Sequence, residues 1–348
     1  MTTHETATHA GGLRRSWDVL RVRAARAGIV LPFLIAFVVL TLISPPFATH
    51  DNLVNLLDQQ SAVLIIAAAG TLLFVSGGMD LSVGAVYGLA AVVTAALAQN
   101  GNVIVAIVVG LIVGATVGVL NGLIVTIWRI NALIATLAMS FIVSGIGALA
   151  TSGDSITLYD RPEYGYLAQT FILGLPSSVW IMIAVSIVLG LTLWGTAFGR
   201  YIYAVGGNDR AARLAGVRVS GVRIACFALS GLAAALAGLI DSSRVLSAQS
   251  SNGGNALTFT VIAGIVVGGT SIMGGEGAVW RTVLGVLLLA LIGNGYNLLG
   301  LNPLYQQITL GVLILVAVGL QSFDGRLRRW FTRLRARDGR TATATTAA

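Results

Sequence analysis

Long apolar runs alternate with short polar breaks along almost the whole chain, and the runs exceed what the core of a soluble domain uses. A helix needs roughly 20 apolar residues to cross about 30 Å of hydrocarbon. Applied along the sequence, that length predicts crossings near residues 27–44, 58–76, 82–98, 103–127, 132–151, 177–197, 222–242, 256–273, 278–298 and 304–322. The expected fold is all-α, a polytopic transmembrane helical bundle of about 10 spans with both termini on one side. A tail at 1–26, a transmembrane domain at 27–322 and a second tail at 323–348 complete the layout. The run after residue 27 is long, lacks a small-x-small cleavage pattern and ends in Pro45-Pro46, so it reads as an uncleaved first helix.

Two glycine-rich breaks carry carboxylates at membrane depth: SGGMDLSVG at 76–84 and GGTSIMGGEG at 268–277. Non-helical backbone and charge are costly there unless protein or a water-filled path surrounds them. Gly77, Gly78 and Gly84 would let the chain break between helices, with Asp80 held by backbone N–H groups or by Ser82. Glu276, between Gly274-Gly275 and Gly277, reads as a cap for the following helix, with a gating role as the alternative. The segments on either side of Gly274 are the ones most open to a re-entrant or broken-helix form.

Composition agrees with a membrane chain: 56% hydrophobic, 10% charged, mean hydropathy +0.88. The formal charge of +8 invites a nucleic-acid reading, but its placement removes it. All 21 basic residues are arginine; with the N-terminus cytoplasmic, 19 fall on inside segments and only Arg161 and Arg244 outside. The basic balance is therefore topological, and both termini are expected in the cytoplasm. Without lysine there is no P-loop, so any ATP hydrolysis must belong to a partner. The lone Cys226 and the scattered His4, His9 and His50 supply no metal set or nucleophile, which leaves enzyme classes without a constellation.

The cytoplasmic segment at 199–223, GRYIYAVGGNDRAARLAGVRVSGVR, stands apart from the other loops. Asn208 or Asp209 can cap a new helix and Gly216 can close it in a left-handed conformation, giving about two turns. So short a helix is unstable alone in water and must dock on something. Arg210, Ala211, Ala212, Arg213 and Leu214 would form its surface; the bland alternative is a solvated basic loop. A long outer loop at 152–176, with Tyr159, Arg161, Glu163, Tyr164 and Tyr166, reads either as a lid or as a surface for an external protein.

These blocks, together with NGLIVTIWRINALIATLAMSFIVSGI at 121–146 and GNGYNLLG at 293–300, occur in one order over residues 50–322. In that combination the sequence resembles the permease subunits of ribose-type ABC importers in bacterial inner membranes. The resemblance implies a permease homodimer, two copies of a cytoplasmic ATPase that binds ATP and Mg, and an external sugar-binding protein. It implies no cofactor in this chain and no nucleic-acid partner. It also likens DRAARLAG at 209–216 to the coupling helix that enters a cleft of the ATPase. Arg210 stands where the family's Glu-Ala-Ala pattern has its acid.

Under that reading Asp80 has three possible roles: a cap at a helix start, a gate or ATPase-side contact, or a contact to sugar hydroxyls. Uncharged polar residues within spans are candidates to line the path: Asn121, Asn131, Thr136, Ser140, Ser144, Asn294, Asn297, Gln306 and Gln307. Neutral donors and acceptors suit a polyhydroxylated solute. Helix-to-helix packing is the competing role for each. Asp241 and Arg244, at the outer end of the seventh span, are expected to pair locally, with contact to the binding protein as the alternative. The rival class is an ion-coupled secondary sugar transporter. It would need carboxylates at mid-membrane, whereas the acids here cluster at span ends.

Overall fold

The computed structural model describes residues 28–302, 304–309, 311–316 and 319. Both tails, and part of the tenth predicted span, lie outside the described residues. The helices are α1 (Val30–Ile43), α2 (His50–Val75), α3 (Val83–Asn100), α4 (Val103–Ile127), α5 (Ala132–Thr151), α6 (Tyr166–Gln169), α7 (Ser177–Gly195), α8 (Ala197–Gly207), α9 (Asp209–Leu214), α10 (Val219–Val245), α11 (Gly254–Val267) and α12 (Val279–Leu298). Four two-residue strands occur: β1 (Ile156–Thr157), β2 (Phe171–Ile172), β3 (Leu175–Pro176) and β4 (Ser247–Ala248).

Seven of these helices, α2, α3, α4, α5, α7, α10 and α12, are long and apolar enough to cross a membrane. Three of the ten predicted spans fall short of that: α1 and α11 have 14 residues each, and the last apolar helix covers Leu304–Val316. At 1.5 Å per residue α11 is roughly 21 Å long. The hydropathy of 256–273 runs on through Gly268 and Gly269, whereas the helix stops at Val267 and the chain turns at Gly269, φ +82°. Conversely α2 starts at His50, eight residues before its predicted span, because polar outer turns can be helical without being apolar.

Two helices form the centre. Residues 61–76 of α2 and its cap are buried on every side, as expected of a helix apolar all round. The other, α10, packs along α2, α3 and α4. Its contact with α4 rests on Gly110, Gly114, Gly118 and Gly122, one per turn; a methyl group on Gly114 or Gly118 would collide with the backbone carbonyl of Gly231 or Phe227. Small residues at this spacing let helix backbones meet where lipid offers no hydrophobic drive. By contrast α4, α5 and α7 expose apolar side chains such as Ile112, Phe141, Ile142 and Ile187 along their length.

Two helices begin inside the bundle rather than at its surface. Ser230, which contacts the chain just before α3, lies eleven residues into α10, roughly 17 Å from its start. The first turn of α11 meets the first turn of α3 there: the Gly84 amide donates to Thr258 Oγ1 at 3.1 Å, and a side chain on Gly84 would strike the Gly254 carbonyl. Residues 246–253 descend to that level from the strand pair β1–β4 (Ile156 opposite Ala248).

Candidate functional site

The segments singled out in the sequence converge at the basic end of the bundle. There α2 ends at Val75, Gly77 turns at φ +80°, and the Gly78 amide bonds back to Leu73 O at 3.0 Å. The Val75 carbonyl accepts from the Gly275 amide at 2.8 Å, and Gly206 of α8 lies against the same carbonyl so closely that a Cβ would overlap it. A Cβ on Gly274 would come within 3.0 Å of both Gly206 O and Gly77. Three glycine pairs, 77–78, 206–207 and 274–275, thus form one backbone junction between α2, α8 and the turn before α12.

Asp80 sits above this junction and is 4% exposed. Its Oδ1 accepts from the Ser82 amide at 2.9 Å and the Ser82 hydroxyl at 2.6 Å; its Oδ2 accepts from Ser230 Oγ at 3.0 Å. Three donors and the positive end of α3 compensate the carboxylate without a cation. Asn121 Nδ2 donates to Ser82 Oγ at 2.8 Å while its Oδ1 has no protein partner, and Thr136 Oγ1 accepts from the Leu81 amide at 2.9 Å. The knot ties α3, α4, α5 and α10 to the chain break. Ser140 is buried one turn further along α5.

The other path candidates are placed elsewhere. Asn131 caps α5, accepting from the Leu133 amide at 2.9 Å. Asn294 exchanges side-chain hydrogen bonds of 2.9 and 3.1 Å with Asn52 at the start of α2, the opposite end of the bundle, and Asn297 is exposed near the end of α12. Glu276 does not cap the helix that follows. Ala278 occupies that position with no side-chain cap, and the Glu276 side chain is exposed while its carbonyl accepts from the Ser271 amide. The two extra residues between Glu276 and α12 put its carboxylate out of reach of the first free amides.

The short helix α9 is built as its residues dictate. Asn208 Oδ1 accepts from the Ala211 amide at 3.0 Å, and Gly216 at φ +84° ends it, with Val217 N bonded to Ala212 O at 3.0 Å. Ala212 is its one buried residue; Leu214 is 86% exposed, and Arg210 and Arg213 point outward. Arg223 links this helix to the break: its Nη2 is 3.9 Å from Asp209 Oδ2 and its Nε donates to Ser76 O at 3.4 Å. Between α9, the α4–α5 turn and the break lies a cleft of about 620 Å³, lined by Gly77, Gly78, Arg129, Asp209, Arg210, Arg213 and Arg223 among others.

At the far end of α10, Arg244 pairs with Asp241 one turn earlier, as expected, and also reaches Asp58 of α2, whose backbone carbonyl it bonds at 2.9 Å. Tyr87 donates to Asp241 and Ser178 to Asp58. The sequence offered no sign of Asp58 or Tyr87, since their partners lie 120 or more residues away. The long loop closes over this network: Tyr164 is fully buried, its hydroxyl 2.7 Å from Ser242 Oγ, and its carbonyl accepts from Ser243 Oγ at 2.7 Å.

Among the described residues the geometry is that of a helical bundle with a broken chain segment and a short exposed helix beside it. A family model described as a branched-chain amino acid transport system / permease component matches residues 52–318. The chain belongs to this transport-permease family. The permease is 38% identical to the ribose import permease of Escherichia coli K12 over 293 residues, 83% of this chain and 91% of the relative. It is 38% identical to the ribose import permease of Bacillus subtilis 168 over 84% of this chain and 91% of the relative. It is 36% identical to the L-arabinose transport system permease of E. coli K12 over 90% and 94%. No solved structure matches the permease. As a family of multi-pass membrane permeases, these proteins move solutes rather than transform them.

Proposed function

We propose that the chain is the membrane-spanning subunit of a bacterial ABC importer for a monosaccharide or related polyol, working as a homodimer with a cytoplasmic ATPase and an external binding protein. The observation that carries the reading is α9: a six-residue capped helix, exposed at Leu214, Arg210 and Arg213, and tied by Arg223 to the glycine junction. Such a helix stands in solvent only when something docks on it. The matched relatives import ribose and arabinose, and the buried polar groups around Asp80 are neutral apart from that one carboxylate, which favours an uncharged hydroxylated solute over an amino acid.

In this reading ATP binding and hydrolysis bias two permease conformations through α9. A push on α9 reaches Asp209, Arg223 and Ser76, and hence the junction where Val75 of α2, Gly206 of α8 and Gly275 of the turn before α12 meet backbone to backbone. Gly77 and Gly78, which carry no side chains, would let this push turn the end of α2 while the hydrogen bonds of Asp80 and Ser82 hold the start of α3. We also propose ten crossings with both termini cytoplasmic, the shorter α1, α11 and the helix at 304–316 completing the seven full-length spans. This reading is supported by the apolar helices and the arginine placement.

The test is recovery of the tagged chain from native membranes in mild detergent. A stoichiometric ATPase with a phosphate-binding lysine, together with ATP-dependent monosaccharide uptake, is expected. Uptake driven by a proton or sodium gradient in ATP-free vesicles, with no ATPase recovered, would instead establish a secondary carrier.

A further inference from the structure

Among the described residues, the cleft beside α9 has an excess of positive charge that no neighbouring group neutralises. Four guanidiniums, Arg129, Arg210, Arg213 and Arg223, face one carboxylate, Asp209, around about 620 Å³. Asp209 reaches only Arg223, and at 3.9 Å. Among the described residues no side-chain hydrogen bond or ion pair is formed by Arg129, Arg210 or Arg213. These arginines come from separate elements, the α4–α5 turn, α9 and the start of α10, so they converge through the fold rather than through a run of charge in the sequence. Arg129 is held at φ +55°, a left-handed conformation uncommon for a side chain of its size, in the turn that presents it to the cleft.

The rim of the cleft differs in character from its floor. Val125 and Ile130 form an apolar wall, and the adjoining Ile127 and Trp128 are 62% and 70% exposed. Tryptophan beside arginine at a helix end is the composition of a membrane interface, and basic pockets between helices on the cytoplasmic side suit phospholipid head groups. A planar guanidinium binds phosphate oxygens through paired N–H donors.

We propose that this cleft binds the phosphate of an anionic phospholipid of the inner leaflet, with the acyl chains leaving past Ile127, Trp128 and Ile130. Assignment to the inner leaflet rests on the orientation proposed above; the binding chemistry does not. The phosphate would bridge Arg129 to the arginines at α9 and so hold the docking helix against the α4–α5 turn. A free phosphate has the same head chemistry but no use for the apolar rim.

Native mass spectrometry of the delipidated full chain in detergent tests this with phosphatidylglycerol, phosphatidylcholine and inorganic phosphate as probes. Expected is selective retention of phosphatidylglycerol, weakened about fivefold by Arg129→Gln and on the order of twentyfold by Arg129→Gln with Arg223→Gln. Arg200→Gln, outside the cleft, should leave retention unchanged. Equal retention of both lipids, or no effect of Arg129→Gln in protein that stays monodisperse, would overturn the proposal. So would displacement of the lipid by millimolar inorganic phosphate, which would point to a soluble phosphate ligand. Because Arg129 is outside α9, ATPase recovery should persist in Arg129→Gln. Loss of lipid with the ATPase retained would support the lipid site, whereas no ATPase in either protein would count against the importer reading alone.

Discussion

The two ends of α10 are built on opposite principles. At its C-terminal end the buried charges are paired: Arg244 lies between Asp58 and Asp241, Tyr87 and Ser178 cover the remaining carboxylate oxygens, and Tyr164 anchors the loop above. At its N-terminal end, among the described residues, the side chains of Arg129, Arg210 and Arg213 are unpaired, glycines meet backbone at the junction, and a short helix stands exposed. A saturated network resists rearrangement, because moving one member strands a charge. A glycine junction has no side chains to strand. The comparison teaches that rigidity is concentrated where the loop caps the bundle, and freedom where a partner is expected to push.

Breaking the outer network should have the largest effect on stability. Arg244→Ala leaves Asp58 and Asp241 facing each other without a cation. Because these groups retain some solvent contact, the expected cost is about 3 kcal/mol, at the low end for a broken buried pair. Thermal unfolding of the detergent-solubilised permease reads it. Gly206→Val should come next, at about 2 to 3 kcal/mol, since its side chain would overlap the Val75 carbonyl and force α8 off the junction. A variant with wild-type melting would show that the junction is looser than described.

Asp80→Ala separates the two ends by a different readout. It strands the Ser82 amide and the Ser230 hydroxyl, costing about 2 kcal/mol, and should reduce transport more than stability because the break is no longer tied to α10. Asn208→Ala removes only a helix cap, about 1 kcal/mol, yet falls on the docking element. ATPase activity per complex should drop while melting scarcely moves.

The last effect appears only at alkaline pH. Burial pushes the Tyr164 phenol up to about 12, with the hydrogen bond to Ser242 opposing the shift. The folded state therefore holds this proton more tightly than the unfolded chain. The stability it contributes is complete below pH 10 and is lost as pH rises from 10 toward 12. Tyr164→Phe should lack that alkaline loss. An identical alkaline profile in wild type and Tyr164→Phe would place the loop outside the rigid end.

How much of this was legible follows from how far apart in sequence each contact lies. The cap at Asn208 and the turn at Gly216 are local, and the sequence shows both. So is the pairing of Asp241 with Arg244, one helical turn apart. The breaks were visible as glycine clusters, but not their meeting, because backbone contact between positions 75, 206 and 275 leaves no trace in side-chain chemistry. Glu276 is close in sequence to a helix that starts only at Val279, three residues further on. Asn294 and Asn121 looked alike in the sequence, and their separation to opposite ends depends on which helix each one faces. The shortness of α11 is hidden in the sequence because hydropathy carries the apolar run through glycines at which the helix ends.

The central claim, that α9 is the element through which an ATPase drives this permease, has a direct test in Leu214→Asp. Leu214 is exposed, does not line the cleft and supports no packing, so the variant should fold and melt as wild type. Measured in proteoliposomes with the co-purified ATPase and binding protein, ATP-driven monosaccharide uptake should fall at least about tenfold, in line with loss of a buried apolar anchor at an interface. Unchanged uptake in the Leu214→Asp permease would contradict the account and place the coupling contact on another part of the inner face.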